Sequence, residues 1–378
     1  MHEHEKLQKV LKEHEGWDEL LEDSIKEACH KAHDLLNLRS QEHFKPYPDT
    51  LDKYFAYLDK MVHWIPTEAD YAKEVLFQLC KFYWLLGQPS GLKLQNIKEP
   101  GREVGNAFTD WMVTFANDWG SFLDTTGSLT QKTLRSFYEY EPYNLDQYIG
   151  YDPDWQIKDR ISHNMWMTFN QFFCREIKPG LRPIAGMFED SIITAPADCT
   201  FKEKWAIDSC SEIVVKHTHK YKILQLLEGS PYQDRFVDGI FMHSFLGPND
   251  YHRFHAPVRG TVLECRAIQA KVYLDVKIED GEFTAPDGGG YEFTQTRGLI
   301  IFDSPLGLVA VLPIGMAQVS SVNMVAVEGA YLNKGDEFGY FQFGGSDIIM
   351  LFEGDRNIEV TCAPGIHTNV GMCVAQVV

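Results

Sequence analysis

The stretch Gly298-Leu-Ile-Ile-Phe302-Asp-Ser-Pro-Leu-Gly307-Leu308-Val-Ala-Val-Leu-Pro-Ile314 decides how the chain is read. Two runs of Val, Ile, Leu and Phe flank a turn made of Asp, Pro and Gly, as short strands joined by a tight connection do. The same pattern returns at 211–215, 239–243, 260–265, 272–278 and 348–352. Many short strands separated by turns predict a barrel or sandwich from about Asp190 onward.

Ahead of that point the period is different. Leu51, Tyr54, Phe55, Leu58, Met61 and Val62 follow the i, i+3, i+4, i+7 spacing of one helix face. Pro48 and Asp49 mark its start, and Pro66 its stop. Thr67 and Asp70 read as a capping pair for a helix that runs to Trp84 and Leu86 and ends at Gly87. A further helix is predicted over 103–122, with Trp111, Phe115, Trp119 and Phe122 on its buried stripe. The first 35 residues also read as helix. The predicted class is α+β: a helical N-terminal domain over 1–160, then a β-rich barrel or sandwich core over 161–378.

Charge and cysteines exclude several classes of function. The formal net charge is −19 with no Lys/Arg run, so nucleic acid and anionic lipid surfaces should be repelled. No apolar stretch reaches the roughly 20 residues of a spanning helix, and residues 1–15 lack a signal-type apolar core. A cytoplasmic location is the expectation. None of the eight cysteines forms a C-x-x-C pair, which predicts reduced, buried thiols and no metal ribbon. His217 and His219 alternate as a metal pair could, but no third ligand is near in sequence, so no metal is expected. His30 and His33 read as a solvated helix face. Asp287-Gly-Gly-Gly290 lacks the Gly-Lys-Ser/Thr of a phosphate loop and reads as a turn.

Three stretches in the β half carry chemistry. They are Ala195-Pro-Ala-Asp198, Asn249-Asp-Tyr-His252-Arg-Phe-His255-Ala-Pro257, and Lys334-Gly-Asp-Glu-Phe-Gly339-Tyr-Phe-Gln-Phe-Gly344-Gly345-Ser346. A serine hydroxyl needs a base to take its proton, and a carboxylate commonly orients that base. Asp198, His255 and Ser346 supply the three types, and Gly344 and Gly345 allow a strained turn at the serine. Spacing alone does not bring them together.

These stretches resemble the phosphatidylserine decarboxylase family. The likeness starts at about Phe169 with Phe172-Phe-Cys-Arg175-Glu-Ile-Lys178-Pro-Gly-Leu-Arg182-Pro183. It continues through Asp198, the His252 and His255 segment, Ile314-Gly-Met-Ala-Gln-Val319, and Gly344-Gly345-Ser346. The resemblance implies a self-processing zymogen. Ser346 would attack the Gly345 carbonyl, and elimination and loss of ammonia would leave a pyruvoyl group derived from Ser346. The chain would split between 345 and 346 into a β fragment and an α fragment that stay associated. Through a Schiff base to the substrate amine, the pyruvoyl group would then support loss of CO2.

The implied catalytic residues are His255 as base for Ser346, Asp198 as its orienting carboxylate, and His252 as the proton donor after decarboxylation. Arg253 stays outside that set, since a structural salt bridge explains it equally well. Two positions depart from the family pattern. Asp347 follows the serine and puts a carboxylate beside the future cofactor, and Cys199 stands where glycine usually follows the aspartate.

The helical front resembles that of soluble L-tryptophan decarboxylases of this family. The expected substrate is therefore a small amino acid, in first place an aromatic one such as L-tryptophan. The alternative is phosphatidylserine, with phosphatidylethanolamine as product. A non-catalytic lipoyl-like binding module is a remote alternative, since no lysine sits near Ser320-Ser-Val-Asn-Met324 where a carrier would need one. A homodimer is the family expectation.

Overall fold

The computed structural model describes residues 2–68, 73–96, 105–153, 166–215, 219–285, 290–315, 321–343 and 346–378. Its front half is helical: Glu3–Lys12 (α1), Trp17–Leu35 (α2), Leu38–Phe44 (α3), Leu51–Met61 (α4), Glu74–Leu86 (α5), Pro89–Leu94 (α6), Ala107–Leu123 (α7) and Gln131–Glu139 (α8). The expected stripes are buried except at Leu51 and Phe122, which are half-buried. Tyr54, Phe55, Leu58 and Met61 line the inner face of α4, and Thr50 caps it by accepting from the Lys53 N–H. Gly87 ends α5 as predicted, while Asp70 of the expected capping pair lies outside the described residues. Trp84 of α5 donates its indole N–H to the Ala28 carbonyl of α2 at 2.9 Å. No helix among the described residues is long and apolar enough to cross a membrane.

The back half is built on an eight-stranded sheet. Its strands lie in the order Tyr331–Leu332, Gly260–Ile268, Arg297–Ser304, Gly307–Gly315, Ser346–Phe352, Ile240–Leu246, Cys199–Ala206 and His367–Thr368. The α+β class is thus as expected, but the sheet is open at both ends and no closed barrel is formed among the described residues. The opening motif is its central hairpin: Ile300 pairs with Val311 and Ser304 with Gly307.

Both faces of this sheet are covered. Ile348, Met350 and Phe352 join a large core that runs from Leu7 to Ala375 through both halves of the chain. Ile349 and Leu351 point the other way, into a second core with Leu226, Leu227 and Phe293. A strand buried on both faces needs an unbroken apolar run, and Ile348-Ile-Met-Leu-Phe352 is one.

The predicted strand over 272–278 is mostly not a strand; only Lys277–Glu279 is. Val272, Tyr273 and Leu274 are buried all the same. The Gln295 side chain replaces the ladder there. It accepts from the Tyr273 N–H at 3.3 Å and donates to the Tyr273 carbonyl at 3.1 Å, so the backbone is satisfied without a pairing strand.

Candidate active site

Ser346 opens the central strand Ser346–Phe352. Its backbone pairs with Gly315 on one side and with Leu246 on the other. Gly344, Gly345 and the Ser346 side chain lie outside the described structure. After Leu246 the chain turns sharply: the Asp250 carboxylate accepts from the Gly247 N–H at 2.7 Å. The Asp250 N–H also donates to the Gly247 carbonyl at 3.1 Å, and this turn delivers Tyr251 and His252, and then the strand Arg253–His255. That strand pairs with Glu337–Phe341, matching His255 to Glu337 and Arg253 to Tyr340. His252 and His255 thus lie on a segment that meets Glu337–Phe341, the strand before 344–345, and Ser346 opens the strand after it.

His255 has both ring nitrogens engaged. Nδ1 lies 2.8 Å from the Gly335 carbonyl oxygen, and Nε2 lies 3.0 Å from the Tyr251 hydroxyl. A carbonyl can only accept, so Nδ1 carries the hydrogen and Nε2 presents its lone pair, which the Tyr251 hydroxyl donates to. Burial lowers the His255 pKa below the ordinary histidine value, although the Gly335 contact pulls the other way. The ring is therefore a neutral base.

Asp198 is not the group that holds this ring. Its carboxylate accepts from Arg182 Nε at 3.0 Å, from Arg182 Nη2, and from the Val370 N–H at 2.8 Å. No hydrogen bond joins Asp198 to His255. The two are tied indirectly, because the His255 N–H donates to the Pro196 carbonyl at 2.7 Å, two residues before Asp198. The expectation that Asp198 fixes the tautomer is corrected: Gly335 does so.

His252 is completely buried. Its ring stacks on Phe173 with centroids 3.9 Å apart. Neither nitrogen has a hydrogen-bond partner of good geometry. Burial, reinforced by the nearby Arg175 guanidinium, pushes its pKa well below the histidine norm. Arg175 itself is buried and donates to the Asn249 carbonyl at 2.7 Å, bracing the turn that carries His252. Phe173 also meets Phe343, three residues before Ser346, edge to face at 5.4 Å.

Arg253 makes structural contacts, with Glu337 at 2.8 Å and the Cys174 carbonyl at 2.8 Å. His30 and His33 are exposed and flank Asp34. His217 and residues 287–289 lie outside the described residues. Cys29, Cys80 and Cys199 are buried as expected, whereas Cys174, Cys265, Cys362 and Cys373 are half-buried and Cys210 is exposed.

Asp347 does not stand as a free carboxylate beside Ser346. It is fully buried on the sheet face of Ile349 and Leu351, 3.3 Å from His243 Nε2, and Glu292 lies 3.7 Å from the same nitrogen. The three side chains could share a cation. Burial pushes Glu292 up to about 7. Sequence reading missed His243 and Glu292, although a histidine interrupting the apolar run Phe241-Met-His243 is a signal. It also missed Tyr251, Gly335 and Arg182 as contacts of the site, because nothing in a residue name marks a carbonyl acceptor or a buried guanidinium.

Residues 169–376 match the family described as phosphatidylserine decarboxylase. Phosphatidylserine decarboxylase proenzyme 2 of Oryza sativa subsp. japonica is 37% identical over 202 residues, which cover 53% of this chain and 31% of that protein. The chain thus spans about a third of the length of that relative. Phosphatidylserine decarboxylase proenzyme of Vibrio cholerae is 28% identical over 65% of this chain and 87% of its own length. Decarboxylase iboD of Amanita muscaria is 25% identical over 65% of this chain and 77% of its own length.

Proposed function

Because the chain belongs to the phosphatidylserine decarboxylase family, we propose that it is a pyruvoyl-dependent carboxy-lyase that makes its cofactor from its own Ser346. The observation that carries this reading is His255, a buried neutral base of fixed tautomer, on a strand paired to the segment that runs into Ser346. In this reading Nε2 takes the Ser346 hydroxyl proton as the oxygen adds to the Gly345 carbonyl, once the Tyr251 hydroxyl yields its place. Burial holds Tyr251 protonated, so its hydroxyl donates to the ring until the serine displaces it. Asp198 and Arg182 position the segment that carries Pro196, and through it the His255 backbone.

The residues present suit a pyruvoyl group. His252 is a buried imidazole beside the backbone of Gly247 and Asp250, with no contact of good hydrogen-bond geometry at either nitrogen, on the aromatic stack that leads to Phe343. When formed, the ketone supplies an electron sink for the bond to the departing carboxylate. His252 would move the proton. A substrate carboxylate beside the ring offsets the Arg175 charge and raises its proton affinity. CO2 leaves as a neutral molecule, so the electron pair stays with the substrate carbon, and that carbon would take the proton from the ring.

For substrate, we favour a free amino acid with an aromatic side chain, such as L-tryptophan. The charge of −19 supports this, since it opposes docking on anionic lipid. The second reading is phosphatidylserine, favoured by the names of the rice and Vibrio relatives. A cytoplasmic homodimer with residues 1–345 and 346–378 held together completes the reading.

Denaturing mass measurement tests it. Wild type should give two fragments, the smaller one (346–378) without an amino terminus, and Ser346→Ala should give one inactive chain. L-tryptophan, L-tyrosine and phosphatidylserine micelles are then offered, and amine products measured. An intact wild-type chain that is active with an added cofactor overturns the self-processing reading. Turnover of the lipid alone overturns the amino-acid preference.

A further inference from the structure

A cavity of about 330 Å³ lies between α7 and the segment that ends at Phe343. Its apolar floor is Ala116 and Trp119 of α7 together with Phe343, and Trp119 meets Phe343 edge to face at 5.1 Å. Its rim is polar. Asp124, the C-cap of α7, accepts from Asn170 Nδ2 at 2.9 Å and from Gln342 Nε2 at 3.3 Å. Asn170 in turn accepts from the Phe343 N–H at 3.2 Å. The helical half of the chain thus forms one wall of a hollow whose other wall is the approach to Gly344-Gly345-Ser346.

Gly120 stands in the middle of α7 and lines this cavity. Glycine inside a helix costs about 1 kcal/mol relative to alanine. The usual compensations are missing. Its φ is not left-handed, and a Cβ built there meets no atom within 4 Å. Nothing packs close enough to demand glycine. What the missing side chain leaves is space in the cavity.

We propose that this cavity receives the side chain of the substrate, and that Gly120 sets how large that side chain can be. The inference rests on the decarboxylase reading and narrows its substrate. A volume of about 330 Å³ is at the small end for ligand pockets, which run from roughly 300 to 1,000 Å³, and suits one amino acid rather than a diacyl lipid. No Lys or Arg is among its described lining residues, and Asp124 is an anion at the rim. A phosphodiester would meet repulsion there. A flat, uncharged ring with a hydrogen-bond donor on its edge would find aromatic faces below and a carboxylate acceptor above.

The full-length chain is tested with Gly120→Ala and Gly120→Leu. Gly120→Ala checks the fold, and its melting temperature should equal or exceed that of wild type. Both variants should self-cleave like wild type. With Gly120→Leu, kcat/KM for L-tryptophan should fall by about tenfold or more, while that for L-alanine changes by less than about threefold. Equal losses for both amino acids, or no loss, overturn the proposal. A second measurement separates the pocket from the chemistry. Calorimetry on the Ser346→Ala chain, which cannot turn over, should show L-tryptophan binding that Gly120→Leu weakens about tenfold or more. That result upholds the pocket even if no decarboxylation is found. Failure of L-tryptophan to bind at millimolar concentration, or tighter binding of O-phospho-L-serine, overturns it.

Discussion

A backbone carbonyl, that of Gly335, fixes which nitrogen of His255 presents its lone pair, and burial favours the neutral ring. Both bear on how self-cleavage should respond to acid. A lowered pKa means that the neutral base persists below pH 6.5, the ordinary histidine value. The acid limb of the conversion rate of full-length chain should therefore be centred below pH 6.5. Cell-free translation followed by denaturing gels between pH 5 and 8 measures this, and His255→Gln should leave the chain whole. An acid limb centred at or above 6.5 would contradict the assignment. Asp198, His252, His255 and Ser346 were singled out through a family resemblance carried by compact runs of unusual residues. Their partners were not. The clasp of Arg182 on Asp198 joins residues 16 apart, and the acceptor for His255 is a main-chain oxygen 80 residues away.

At the scale of elements, α7 links the helical half to the site. Asn106 starts it with a capping box: its side-chain oxygen accepts from the Phe108 and Thr109 N–H groups, each at 3.0 Å, and Thr109 Oγ1 accepts from the Asn106 N–H at 2.8 Å. Asn106→Ala should cost about 1 kcal/mol of stability, read as a lower urea midpoint at an unchanged slope. Since the cap lies at the far end of α7 from Gly120 and Asp124, self-cleavage should proceed as in wild type. A midpoint that does not move would show that tertiary packing, not the cap, holds the helix start. The α7 stripe was legible because Trp111, Phe115 and Trp119 keep a helical period. What that stripe left room for was not, since a cavity is the absence of a side chain and only the folded chain shows which neighbours fail to fill it. The strands were legible wherever alternation or an apolar run met a turn. Residues 272–276 failed because Gln295, a side chain distant in sequence, took the place of a strand partner.

For the whole molecule, the sharpest consequence concerns what cleavage between 345 and 346 leaves behind. The small fragment begins with the strand Ser346–Phe352, which is fifth of eight and paired along its full length on both edges. Beyond it, His367–Thr368 pairs with Cys199–Ala206, and Cys373–Val377 pairs with both Ile192–Thr194 and Ile358–Val360. Ile348, Ile349, Met350, Leu351, Phe352 and Val374 are buried. Each large apolar side chain contributes about 1.5–3 kcal/mol when removed from water, so before ordering entropy is subtracted these six are comparable with the net stability of an ordinary domain. Cutting one peptide bond at the edge of this strand removes none of those contacts. The fragments should therefore elute together in native size exclusion at any dilution. Release of the small fragment in urea should coincide with the loss of tryptophan fluorescence in a single transition, because no intermediate can keep the sheet without its fifth strand. Separation of the fragments under native conditions, or release well before unfolding, would show that the strand is not the structural centre its position implies.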